Sequence, residues 1–175
     1  MATKKTAIFT LTERLTCSTA GTSVSATIDL GSYVDVGDRQ AVQVHSVDYI
    51  FQGTAADTTL TTTFGTDASE VQVQVVDLNR GDFVFANDRA LVSSARFLWA
   101  GTHADREADM YPDNFGKGAD DGRFVVNDAL YVIAECNDLA SGQACNVIVR
   151  LNCSIVTLSQ KDFMAIAIAS TAADN

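Results

Sequence analysis

The chain has 175 residues, of which 47% are hydrophobic and only 19% charged, a size that fits one domain burying roughly 70% of the surface its unfolded form exposes. A formal net charge of −10 repels polyanions, so direct nucleic-acid binding is disfavoured, and the adjacent pair Lys4-Lys5 is far short of a phosphate-neutralising arm. The opening residues alternate and carry charges, unlike a secretory signal, and no stretch approaches the ~18 apolar residues of a membrane span.

Period-two alternation begins almost at once. Residues 5–15 place Ala7, Phe9, Leu11 and Leu15 on one face among threonines, and residues 22–30 set Val24, Ala26, Ile28 and Leu30 against Ser23, Ser25, Thr27 and Asp29. Residues 40–51 form a strand with apolar residues in both registers, including His45. Residues 71–78 return to clean alternation, with Val71, Val73 and Val75 against Gln72, Gln74 and Val76, the pattern of a sheet with one polar face. The best helical candidate is a turn or two over residues 81–92, with Asp82 as its cap. It overlaps a further strand at 90–101, which holds Trp99, the only tryptophan.

After an irregular stretch, residues 122–136 and 144–159 read as two extended apolar segments. The short Asn, Asp, Ser and Gly loop between them makes them neighbouring antiparallel strands. Residues 161–170 are expected to form an eighth strand or a terminal arm laid on a partner, and their Met and Ala content also admits a short helix. A single proline, Pro112, fits a sheet protein, because proline is confined to strand edges and turns.

The expected architecture is all-β: a two-sheet antiparallel sandwich, and specifically a single jelly roll of about eight strands. Residues 1–175 form that one domain, with 1–15 and 161–175 as strands or terminal arms. An immunoglobulin-like sandwich lacks its Cys, Trp, Cys spacing here.

Chemistry has little support in the residues. His45 lies inside a strand and His103 on a polar loop, so neither sits in a nucleophilic triad motif, and two separated histidines do not make a cupin metal cluster. Phosphate-binding glycine loops are absent. Cys17, Cys136, Cys145 and Cys153 show no CxxC spacing and are read as small buried hydrophobes, with Cys136 and Cys145 brought near one another by a hairpin as the sharper alternative. The acidic stretch 105–121 offers Asp105, Glu107, Asp109, Asp113, Asp120 and Asp121 as oxygen ligands for an interface calcium, against the plainer reading of a solvated loop. No catalytic residue, resident cofactor or metal site is assigned, and the chain is not read as an enzyme.

Residues 22–51, 126–136 and 146–159, with the closing 161–175, resemble in length, strand order and Thr/Val/Ala/Gly-rich style the single jelly-roll major capsid proteins of tailless icosahedral viruses. The resemblance implies a self-assembling capsid subunit located in the virion, whose partners are copies of itself and other capsid proteins or an internal membrane. A β-rich appendage, fibre, decoration or filament subunit is the alternative. Phe163, Ile166 and Ile168 are the candidate interface residues, and deletion of 161–175 is expected to weaken assembly more than it alters the subunit fold.

Overall fold

The computed structural model describes residues 2–55, 59–106, 115 and 122–171. Its strands are β1 (Thr3–Lys4), β2 (Phe9–Cys17), β3 (Val24–Asp29), β4 (Gln40–Gln52), β5 (Ala68–Val76), β6 (Leu91–Ala100), β7 (Ala104–Arg106), β8 (Arg123–Val125), β9 (Ala129–Cys136) and β10 (Cys145–Thr157). Two helices, α1 (Leu60–Phe64) and α2 (Gln160–Thr171), complete the order. Among the described residues the strand content of about 50%, against about 10% helix, is well above the 20–25% strand usual in globular proteins.

The strands form two antiparallel sheets. One runs β2-β10-β4-β8, with β1 continuing the β2 edge along β10, and the other runs β3-β9-β5-β6-β7. Pairing is concentric along the chain: β2 with β10, β3 with β9, β4 with β8 and β5 with β6. That is the winding of a hairpin rolled into a sandwich, and it makes the fold a single jelly roll. Alternation sets which face goes in. Along β2, Leu15 and Cys17 are buried while Thr10, Thr12, Arg14 and Thr16 are exposed, and the β10 residues Val147, Val149 and Leu151 meet them in the core.

Four sequence expectations are corrected. Residues 122–136 are two strands in different sheets, because the chain turns at Asn127, whose side chain donates to the Asp77 carbonyl at 2.6 Å. β9 and β10 are not neighbours. Each sits inside a different sheet, flanked by β3 and β5 or by β2 and β4, and an apolar run buried on the sandwich side reads the same in either sheet. Residues 161–170 form most of α2, the short helix that their Met and Ala content admits, in place of the expected eighth strand; that strand is β8. The Ser159 hydroxyl accepts from the Asp162 N–H at 3.2 Å and donates to its carboxylate at 2.7 Å, so the segment starts with a reciprocal cap and continues with good helix formers. No helix forms over 81–92, where Asp82 accepts from the adjacent Phe83 N–H. The helical turn lies at α1, capped by Thr59.

Gly101 closes the turn after β6 at φ +82°, and a Cβ there would sit 2.3 Å from the Thr66 carbonyl oxygen. Gly101→Ala is expected to destabilise the fold by more than the about 1–3 kcal/mol of left-handed strain alone, measured as a drop in the denaturant midpoint.

All four cysteines are buried and free. Cys17 and Cys145 are direct cross-strand partners, and burial pushes the thiols of Cys17, Cys145 and Cys153 up to about 12. Since the thiolate is the reactive form, the native protein is expected to resist iodoacetamide at pH 8, and all four thiols should label after denaturation. Mass spectrometry of the labelled chains checks this.

Candidate subunit interface

The histidines take structural places. His45 lies at a bulge in β4, where the β10 register shifts between Asn152 and Cys153. Its Nε2 is 2.9 Å from the Ser154 hydroxyl, with both residues buried in the sheet, so this Ser-His pair is closed to a substrate. The His45 carbonyl accepts from the Phe115 N–H at 2.8 Å. His103 is exposed beside Thr102. Among the described residues no group of three or more His, Cys, Asp or Glu is placed to hold a metal ion. The calcium candidates Glu107, Asp109, Asp113, Asp120 and Asp121, the side chain of Asp105 and Pro112 lie outside the described residues. Among those described, no helix is long and apolar enough to cross a membrane.

The three interface candidates are divided by α2. Phe163 is buried at 4% exposure in its own chain, in a cluster with Ala41, Val126, Val156 and Leu158 on the outer face of the β10-β4 sheet. Ile166 is half-buried against the same cluster. Ile168 is 63% exposed, and Met164, four residues earlier on the same helix face, is 53% exposed. The segment is therefore docked on its own subunit by one side and carries an apolar stripe on the other.

Two loops beside α2 extend that stripe. The turn 35–40 presents Val36 at 71% exposure. Paired backbone bonds between Asp35 and Gln40 lock this turn, and the Asp35 carboxylate accepts from Gly37 at 2.8 Å and Asp38 at 3.3 Å. Val36, Gly37, Arg39, Gln160, Phe163 and Met164 line a recess of about 350 Å³.

The loop 78–90 presents Phe85 at 88% exposure. Its neighbours Phe83 and Val84 pack on Val76, Leu91, Ile133 and Tyr131. The Gln74 side chain, itself buried, accepts from the Val84 N–H and donates to the Val84 carbonyl, both at 2.9 Å. Arg80 and Asp88 pair across the loop base at 3.5 Å. The returning residues Ala86, Asn87, Asp88 and Arg89 share a cleft of about 410 Å³ with Ile166 and Ala169 of α2. Val36, Met164 and Ile168 thus lie on or beside α2, Phe85 is carried by the loop whose residues 86–89 face α2 across the cleft, and the other exposed large hydrophobics of the described chain are Ile8 and Ile50.

No family model and no curated protein matches the chain. Among solved structures, VP1 of Trichodysplasia spinulosa-associated polyomavirus in complex with 3'-sialyllactose is similar, with 8% identity, 90% of this chain and 97% of that one covered, and a TM-score of 0.47. Merkel cell polyomavirus VP1 in complex with 3'-sialyllactosamine shows 6% identity, coverage of 90% and 97%, and a TM-score of 0.46. The strand pairing itself, not this likeness, assigns the jelly roll.

Sequence reasoning missed Phe85 and Val36. The signal at Phe85 is an apolar Phe83-Val84-Phe85 triplet between turn-forming Asn79-Arg80-Gly81-Asp82 and Asn87-Asp88; a regular extended chain would put both aromatics on one side, so the sequence does not say that Phe83 is half-buried and Phe85 exposed. Only the Gln74 clasp decides which of the two points outward.

Proposed function

We propose that this protein is a viral structural subunit, a capsid protein that assembles with copies of itself into a closed shell, and that it is not an enzyme. The observation that carries the proposal is the apolar stripe along α2 on a jelly-roll body. A lone subunit leaves Val36, Met164 and Ile168 on or beside α2, and Phe85 on the neighbouring loop, to water, and exposed apolar surface of this kind marks an interaction site. The jelly roll is a recurrent shell-building architecture, and the sequence resembles small capsid subunits in length, strand order and composition.

The partners are other copies of the chain. At a net charge of −10 the genome is left to other capsid proteins or to an internal membrane, because a surface of this charge does not attract phosphate. A calcium ion held between subunits by the acidic stretch 105–121 would offset repulsion between like-charged copies. The test is negative-stain electron microscopy of purified protein at rising concentration. Closed particles of uniform size support a shell subunit; fibres or unlimited filaments point to the appendage reading, in which heterologous contacts do not close.

A further inference from the structure

We infer that assembly uses a knob and a hole carried on the same chain: Phe85 of one copy enters the recess between Val36 and Met164 of the next. This rests on the capsid reading and names the contact that reading requires. The knob is pre-formed. Gln74 holds Val84 by two 2.9 Å hydrogen bonds, the Phe85 carbonyl accepts from the Asp88 N–H at 2.9 Å, and the aromatic ring is left 88% exposed. Phe85 therefore does not occupy the recess of its own chain, and the clasp keeps the loop from swinging over to it. A loop whose backbone is held before contact leaves only the Phe85 side chain to be ordered on docking, which limits the entropy cost of an anchor residue.

The hole is pre-formed as well, since the Asp35 carboxylate and the Asp35–Gln40 backbone pair fix the turn that carries Val36. Its lining suits an aromatic guest. Phe163, Val36 and Met164 supply apolar and thioether contacts, and Arg39 supplies a cation for the ring face. Charge selects a second copy as the occupant. Arg39 is the only charged residue of that lining, and Asp82 is the only charged residue at the knob tip, 81–87, so each docking matches opposite signs between chains that otherwise repel at −10 apiece. Knob and hole are different patches of one surface, so a copy whose knob and hole engage two different neighbours makes heterologous contacts, which build rings when the rotation closes.

The experiment compares wild type, Phe85→Glu and Met164→Glu by size-exclusion chromatography with light scattering, and by electron microscopy. Both side chains are exposed, so circular dichroism and the melting temperature of each variant should match wild type. Each variant alone should need at least about tenfold more protein to assemble. An equimolar mixture should yield discrete dimers, because an intact knob on one variant meets an intact hole on the other and neither chain can propagate. Phe85→Glu assembling like wild type overturns the inference, as does a mixture that stays monomeric. If both wild type and Phe85→Glu form closed shells, the knob and hole fall while the capsid reading stands. If wild type forms only open fibres and Phe85→Glu stays monomeric, the contact stands and the shell falls. A wild type that remains monomeric at high concentration overturns both.

Discussion

Replacing Phe163 by alanine is expected to destabilise the subunit by about 3–5 kcal/mol, the range for emptying a buried phenylalanine site. Phe163 is 4% exposed and anchors α2 over Ala41, Val126, Val156 and Leu158. Those residues belong to or border β4, β8 and β10, so the loss falls on the sheet and not on the helix alone. Ile168→Ser supplies the contrast. It lies on the same helix at 63% exposure, and its replacement should move the denaturant midpoint by less than about 0.5 kcal/mol equivalent. Chemical denaturation of both variants at a concentration below assembly is the measurement. Equal, small losses would show that α2 is an arm undocked from its own sheet. The same geometry changes what deletion of 161–175 should do. It uncovers apolar core, so the subunit itself is expected to lose stability along with assembly.

Arg123→Ala is expected to cost about 3 kcal/mol at neutral pH, near the lower end for breaking a buried ion pair, because the arginine is partly exposed. Asp77 is 2% exposed, and Arg123 reaches its Oδ2 at 2.9 Å with 30% exposure of its own. The other carboxylate oxygen finds no donor among the described residues. Burial raises the Asp77 carboxyl above its ordinary 3.8, and the charge and hydrogen bond of Arg123 partly oppose that rise. In the folded state the carboxyl therefore holds its proton to higher pH than in the unfolded chain. The sign follows from linkage: stability falls as pH climbs from about 4 through the folded pKa, because the folded form binds more protons across that window. Without Arg123 the folded pKa rises further and the window extends upward. The deficit of Arg123→Ala should accordingly be smallest in acid and complete by neutral pH. Adding Asp77→Asn should flatten this dependence, since no buried carboxylate then remains to be ionised. Thermal melts of the single and double variants across pH 4 to 8 provide the check. A deficit independent of pH would mean that the loss comes from packing rather than from charge.

Much of this fold is legible in the amino-acid order. The alternation of Phe9, Leu11 and Leu15 with threonines, or of Val71, Val73 and Val75 with Gln72 and Gln74, specifies strands and their inward faces by itself, because side chains on an extended chain point to opposite sides in turn. Strand-rich composition with scarce proline likewise points to the all-β class. Tertiary structure decided the remainder. Alternation states that a strand has an inner face but not which sheet it joins, and so β9 and β10, adjacent in sequence, fall on opposite sides of the core. For residues 161–170 the apolar spacing is compatible with strand or helix, and the Ser159 cap with the landing site for Phe163 settles it as helix. The interface shows the same division. Hydrophobic content announces that apolar surface remains to be covered, while the choice of Phe85 and Met164 over Phe83 and Phe163 depends on contacts distant in sequence. The clasp of Gln74 on Val84 and the packing of α2 on β10 fix which side of each segment faces water.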